Sequence, residues 1–330
     1  MPGRLRILLI YSLTAVFASG VAAQVNWVNV NSNYKPLPKG FDVFKTTDSL
    51  DGKPFLAYYA IADLQNKNLL FTSDTTQNRR LTPAGFYNKS GQPLLVVNTT
   101  FFSFANNRNL NMVIKDGRLV SYNTHNIPLK GKDTFMYKHP FASAIGISKK
   151  RKADIAWTYA DSTISHSFAS QKVVIPLKDS SSTLDLVSAM RLATGHVGVS
   201  RSLRRWKMQT AVGGGPVLVQ NNRVEVTNNE EMKFAGKAIN DKHPRTLMGY
   251  TADNKIIVMV IEGRHAGLAD GATLVQAAKL MADLGCTEAL NLDGGGSSCM
   301  LINGKETIMP SDKGLQRAVP AVFIIKQKRK

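Results

Sequence analysis

The sequence predicts an α+β fold: a single domain of mixed, largely antiparallel twisted sheets with a few flanking helices. Three observations carry this expectation. Short apolar or alternating runs joined by tight-turn signals recur along the chain and outnumber strand–helix–strand units. One segment alone, Leu274–Leu284, has a full set of helix signals. No linker or composition break interrupts residues 50–326, so the 330 residues read as one large domain. A hydrophobic content of 43% is enough for a sizeable core and excludes a disordered or collagenous chain.

Taken in order, the first residues read as a targeting segment. Arg4 and Arg6 precede the apolar run Ile7–Ala18, and Val21-Ala22-Ala23 supplies small residues before Gln24, so residues 1–23 are expected to be a signal peptide cut after Ala23. The run is short for a membrane-spanning helix, and no later stretch of 18 apolar residues follows, so no transmembrane segment is expected after cleavage. The domain then covers 24–330, and a periplasmic or secreted location follows. Residues 24–50, with Pro36, Pro38 and Gly40, read as irregular. Phe55–Ile61 and Leu94–Asn98 read as strands. Met112–Ile114 and Arg118–Ser121 flank Asp116-Gly117, a hairpin signal. Phe141–Ile147 and Ala153–Tyr159 pair around a basic turn. Ser181–Ala193 has roughly helical spacing of Leu184, Leu186, Val187 and Met190. Pro216–Val219 and Val224–Val226 flank Asn221-Asn222, and Lys255–Glu262 is the most apolar strand. In the helix, Thr273 and Gln276 fit a capping box, Leu274, Ala277, Ala278, Met281 and Leu284 form one face, and Gly285 stands where it should stop. Short strands are expected at Ala289–Leu292, Met300–Ile302 and Ala318–Ile325.

The net charge is +19, or +17 without the leader, concentrated at Lys149–Lys152, at Arg201, Arg204, Arg205 and Lys207, and at Lys326–Lys330. Such patches suit acidic partners such as phosphorylated glycans, or are simply solvated. They lack interleaved aromatics apart from Trp206, so no nucleic-acid partner is expected. Cys286 and Cys299 flank a glycine-rich segment and read either as a bridge across it or as two buried thiols. They do not form a metal-binding spacing.

Five segments could carry chemistry. Asp293-Gly294-Gly295-Gly296-Ser297-Ser298 follows a strand directly; the glycines free backbone N–H groups to face a ligand and leave Asp293 at the strand end, although a tight turn would use the same residues. Gly213-Gly214-Gly215-Pro216 allows another backbone close, or cradles an anion. Neither run is a P-loop, because no Gly-Lys-Ser/Thr follows. In His243-Pro244-Arg245-Thr246, Arg245 offers two parallel hydrogen bonds to a phosphate and His243 a proton carrier or neutral hydrogen-bonder. Glu262-Gly263-Arg264 places a carboxylate and a guanidinium two residues apart, able to pair or to divide the work on a sugar phosphate. Asn98-Thr99-Thr100-Phe101-Phe102 adds an amide and aromatic walls.

These segments in this order, with the Leu274–Gly285 helix and a final Arg317 before an apolar strand, resemble the phosphodiester glycosidase family, which contains the mannose-6-phosphate uncovering enzyme and bacterial relatives. The resemblance covers about residues 90–325 and is strongest from 211 onward. The chain departs from the family pattern at Thr99 and Thr100, where glycine often stands, and at Glu262, where aspartate is usual. Residues 120–210 match no motif and are expected to shape substrate choice.

The resemblance implies cleavage between a sugar's anomeric carbon and a phosphodiester oxygen, of the N-acetylglucosamine-1-phosphodiester type. Asp293 is then expected as base or nucleophile and Glu262 as second carboxylate. Arg245, Arg264, His243, Thr246, Asn98, Gly214, Gly215, Gly294, Gly295 and Ser297 are expected to bind the substrate and its phosphate. No cofactor is required, and a structural divalent cation remains compatible. Two other readings stay open: a non-catalytic module binding phosphorylated or cell-wall glycans, and a metal-dependent phosphodiesterase cutting P–O, against which six scattered histidines without paired spacing argue. Oligomeric state is not legible.

Overall fold

In the computed structural model, residues 25–194 and 203–328 are described; the expected leader and Arg201 lie outside them. Every strand pairing among the described residues is antiparallel. Three sheets of eight, seven and five strands carry the domain, with smaller three- and two-stranded additions.

The hairpins form where turn chemistry calls for them. Val113–Lys115 and Arg118–Ser121 close around Asp116 (φ 51°) and Gly117 (φ 77°), and Val217–Gln220 meets Arg223–Val224 across Asn221 and Asn222, both in the left-handed region. Ala142–Ile147 and Ala153–Tyr159 pair in register from Ala142↔Thr158 to Ile147↔Ala153.

Each large sheet buries both faces. Their inner faces share one core, in which Val258 and Val260 of Lys255–Ile261 join Ile145, Trp157, Val97 and Phe323 from the other two sheets. The outer faces are covered separately. The helix Leu274–Asp283 lays Leu274, Ala277, Ala278 and Met281 on Leu218, Leu247, Ile257 and Met259. Its start is fixed by the capping box: the Thr273 hydroxyl accepts from the Gln276 N–H at 3.1 Å, and the Thr273 N–H donates to the Gln276 side chain at 2.9 Å. A short helix, Pro83–Lys89, covers the five-stranded sheet through Phe86. Trp206 and Met208 cover the small-residue face formed by Ala144, Ala156 and Ala211.

Residues 24–50 correct the expectation of irregular chain. Phe41–Thr46 is a six-residue strand paired along its length with Ala57–Asp63, inside the eight-stranded sheet. Its apolar inward positions are few, Phe41 and Val43, and flanking Gly40 and prolines mask them; the partner strand supplies what local pattern lacks. The helix expected at Ser181–Ala193 begins later, at Leu186, because the Asp185 carboxylate accepts the Ser188 N–H at 2.8 Å and caps it there. Cys286 and Cys299 are both free and buried. Among the described residues, no helix is long and apolar enough to cross a membrane.

Candidate active site

Antiparallel pairing gathers the chemical segments at one end of the central strands of the eight-stranded sheet. Arg245 pairs with Ile261, Leu247 with Asn291 and Val217 with Leu290. The start of one strand therefore lies beside the end of its neighbour. Pro216, His243–Arg245, Glu262–Arg264 and Leu292–Gly296, far apart in sequence, emerge together. The five-stranded sheet contributes the end of Leu95–Asn98, and the seven-stranded sheet the end of Thr210–Gly213.

Asn98 ties this junction. Its side-chain amide donates to the Asp293 carbonyl at 2.6 Å, and its oxygen accepts the Thr246 hydroxyl at 2.8 Å and the Cys299 N–H at 3.1 Å. The Asp293 N–H donates to the Thr99 carbonyl at 2.7 Å. Both backbone groups of Asp293 are thus fastened by the 98–99 segment. Thr246 also reaches Ser298 at 3.2 Å. Asn98 and Thr246 are fully buried and spend their polar atoms inside the protein.

The Asp293 carboxyl is pushed up to about 7, first by burial; the Ser297 hydroxyl, Arg317 and the Gly294 N–H pull the other way without cancelling it. Ser297 Oγ leans on the carboxylate, yet makes no well-formed hydrogen bond to any protein atom.

The three glycines that follow are seats for other groups. Gly294 lies against the Pro244 carbonyl, 2.8 Å from where a Cβ would stand. Gly295, at φ 60°, has the Arg264 guanidinium across that position, with Nη2 at 3.2 Å. At Gly296 a Cβ would overlap the Arg317 guanidinium outright. Arg317 is held by Asp312 at 2.9 Å and lies over the Phe104 ring at 5.5 Å. Two guanidinium groups therefore rest on the turn that begins with Asp293. Gly296→Ala is expected to displace Arg317 while leaving the fold intact, because the obstructing atoms end a flexible side chain. We expect kcat/KM at pH 7 to drop by roughly 5-fold and its acidic limb to move to higher pH, because Asp293 loses the cation that holds its pKa down, with an unchanged urea midpoint. A strongly destabilised variant would contradict this.

Arg245 is nearly fully buried at 2% exposure. Its Nε donates to the Ala272 carbonyl at 3.0 Å and one terminal nitrogen to the Asp241 carbonyl at 3.2 Å; its guanidinium lies over Phe234 at 5.5 Å. Among the described residues no carboxylate comes within 4.0 Å of it. Burial, then the charge of Arg264, lower it to about 10, so it stays cationic at neutral pH. Burial and the same two arginines lower His243 below its ordinary value. The neutral ring takes the Arg264 Nη2 donor on Nδ1 at 3.3 Å, which leaves the proton on Nε2.

Glu262 does not pair with Arg264. The strand stops at Ile261 and Arg264 enters the left-handed region at φ 64°. Glu262 instead pairs with His265 at 2.8 Å through one oxygen and accepts the Met309 N–H at 2.9 Å through the other. It fastens the Arg264 loop to the 307–317 loop that carries Arg317.

Gly214 and Gly215 belong to the wall. The Gly215 N–H donates to the Asn291 carbonyl at 2.7 Å, and Gly214 packs against the same carbonyl, 2.6 Å from its would-be Cβ. Gly215, at φ 114°, stands against Glu231, a residue that sequence reasoning missed. Glu231 is buried and accepts five hydrogen bonds, from the Ser143 N–H and hydroxyl, the Trp157 indole, the Val217 N–H and the Thr227 hydroxyl. Lys233, also missed, has its ammonium over the Phe101 ring at 5.1 Å, and Phe101 meets Phe234 edge-on at 6.0 Å. Burial, partly offset by Glu231, lowers Lys233 to about 8. The stretch Asn228-Asn-Glu-Glu-Met-Lys-Phe234 reads locally as a polar turn, so no sequence signal marks it.

The site is thus one raised carboxyl, Asp293, beside Arg317, with Arg264 on the adjoining Gly295, Arg245 and Lys233 at neighbouring strand ends and loops, and His243 as a neutral donor. It can hold a dianionic group beside a carboxylate able to attack or accept a proton.

Comparison with known proteins identifies a family and a shared fold. A family described as phosphodiester glycosidase matches residues 91–326. The SPbeta prophage-derived uncharacterized protein YomE of Bacillus subtilis (strain 168) is 37% identical over 81 residues, which is 24% of this chain and 12% of that protein. A hypothetical protein from Synechocystis has a TM-score of 0.59 at 14% identity, over 92% of this chain and 64% of its own. The catalytic domain of zebrafish N-acetylglucosamine-1-phosphodiester alpha-N-acetylglucosaminidase, auto-inhibited by its pro-peptide, has a TM-score of 0.57 at 18% identity, over 93% of this chain and 89% of its own. These two structures share the fold.

Proposed function

The chain belongs to the phosphodiester glycosidase family, and from that premise we propose that it is an exported hydrolase of sugar-1-phosphodiesters, of the N-acetylglucosamine-1-phosphodiester type. Water replaces the phosphodiester oxygen on the anomeric carbon; the products are the free sugar and a phosphomonoester. Export rests on the leader-like segment 1–23. The observation that carries the reaction is Asp293, raised to about 7 and overlain by Arg264 and Arg317 on the glycines that follow it.

Asp293 acts as the nucleophile or base at the anomeric carbon. The leaving phosphate is already acidic, with a second pKa of about 6. Cationic stabilisation therefore replaces much of the work of a general acid. Arg245, Arg264 and Lys233 supply that charge, and the His243 Nε2–H supplies a neutral hydrogen bond. Arg317 limits the rise of the Asp293 pKa and keeps the carboxylate available at neutral pH. Glu262, with both oxygens engaged, is assigned to positioning the arginine loops rather than to direct chemistry. Asn98 and Thr246 position Asp293.

The reaction tests itself by the bond broken. With an N-acetylglucosamine-1-phosphodiester in 18O-labelled water, label is expected in the sugar. Label in the phosphate would mean P–O cleavage and overturn the proposal.

The pH dependence follows from the two shifted groups. Asp293 must be ionised, so kcat/KM rises as pH climbs through about 7. Lys233 must be protonated, so kcat/KM falls as pH climbs through about 8. A narrow bell between these values is expected, and Lys233→Arg should remove its alkaline limb. An alkaline limb that persists in Lys233→Arg would take Lys233 out of the reaction.

A further inference from the structure

A second cavity, of about 710 Å³, lies at the opposite end of the seven-stranded sheet. Strands Ala142–Ile147 and Thr210–Gly213 connect the two places: Ala144 pairs with Gly213 at the active-site end, and Ile147 with Thr210 at the other. Gln209, which borders the cavity, is five residues from Gly214, or roughly 17 Å along an extended strand.

The cavity has an apolar floor and a cationic rim. Ile114, Leu119, Trp206 and Met208 form the floor. Trp206 and Met208 lie flat on the sheet because Gly146 beneath them has no side chain; a Cβ there would stand 2.5 Å from Met208 Cγ and 2.9 Å from the indole. Lys149 and Lys150 rise from one turn, and Arg205 and Lys207 from the segment that crosses the sheet. All four are exposed, and among the described residues none is in a salt bridge. Among the described residues, Asp116 is the one acidic residue on the cavity wall. Ser167 borders the cavity as well; it is fully buried and its hydroxyl has no hydrogen-bond partner.

We propose that this cavity is a second anion-binding site, which holds a phosphate-bearing stretch of a phosphodiester-linked glycan polymer while another stretch of the same chain occupies the active site. Cations spread over separate turns suit repeated anionic groups on an extended chain better than one compact phosphate, which a converging fork would hold. Nucleic acid fits less well, because base stacking is strongest on a broad exposed ring and the cavity's tryptophan is covered. Trp206 is only 6% exposed, and its indole N–H is already given to Asp154 at 2.5 Å. A membrane surface fits less well too, since among the described residues none of the exposed large apolar side chains borders the cavity. The choice of a phosphodiester polymer rests on the reaction proposed above, whereas the anion site itself does not.

Binding of a poly(glycerol phosphate) chain and of inorganic polyphosphate is to be measured by titration calorimetry in the Asp293→Asn protein, so that turnover plays no part. The combined variant K149Q/K150Q/R205Q/K207Q is expected to bind both probes about tenfold more weakly or worse. A control with four charges removed that do not border the cavity, K35Q/K53Q/K279Q/K305Q, should lose less than about twofold. In the wild-type background the cavity variant should raise KM for a polymeric substrate and leave the kinetics of a small diester unchanged. Equal weakening in the control set, absence of binding, or DNA binding as tightly as the phosphate polymers would each overturn the site. Failure of the small diester to turn over, with polymer binding intact, would instead strike the reaction and spare the site.

Discussion

Asp293→Asn is expected to remove turnover by a factor on the order of 10³ to 10⁵, the range seen when a single nucleophile or base is lost, and at the same time to stabilise the protein above pH 7. The two effects share one cause. Burial raises the folded-state carboxyl from 3.8 to about 7, so the folded protein holds a proton that the unfolded chain has already released. An acid with a raised folded pKa weakens the fold as pH climbs from its unfolded value to its folded one. The advantage of the neutral asparagine is therefore absent below about pH 4, grows up to about pH 7, and is constant above. Thermal unfolding of wild type and variant across this range reads it directly. An Asp293→Asn protein with equal turnover, or one that melts lower than wild type at pH 8, would remove Asp293 from its place as a desolvated reacting group.

The second large effect is expected at Asn98, which touches none of the reacting atoms. Asn98→Ala strands the Asp293 carbonyl, the Cys299 N–H and one bond of the Thr246 hydroxyl in the interior. Each buried polar group without a partner costs about 1–3 kcal/mol. Thr246 retains Ser298, so a total loss of about 3–5 kcal/mol is expected in a denaturant titration. Because the lost bond fastens the backbone of Asp293, kcat should fall more than KM rises. Asn98→Asp separates the contributions. It keeps the acceptor for Thr246 and Cys299 but turns a carboxylate oxygen toward the Asp293 carbonyl, and adds negative charge beside a carboxyl already hard to ionise. Its pH profile should move to higher pH. An unchanged profile would mean that Asn98 acts on the fold alone.

The reading of Asn98 also shows where local inference stops. Its position at the end of a buried strand, in a motif with two threonines and two aromatics, marks it as belonging to the site. Its work, however, is to bind a carbonyl 195 residues away, a strand end from another sheet and an N–H beyond the glycines. Glu262 is a similar case. Two residues from Arg264 in sequence, it pairs with His265 and Met309 because the chain turns left-handed at Arg264.

The hairpins, the capped helix and the glycine-rich turns were legible in the chain because each depends on a few neighbouring residues: Asp-Gly and Asn-Asn pairs, a Thr and a Gln three apart, an alternation of apolar side chains. The antiparallel α+β class follows from them. Phe41–Thr46 needed its partner to become a strand. Lys233, Glu231 and the seating of Arg264 and Arg317 on Gly295 and Gly296 needed three sheets to bring distant strand ends together. The pKa of Asp293 needed the burial that results. Propensity and turn chemistry act over a few residues, whereas desolvation, charge and hydrogen-bond partners are set by contacts between residues tens to hundreds of positions apart.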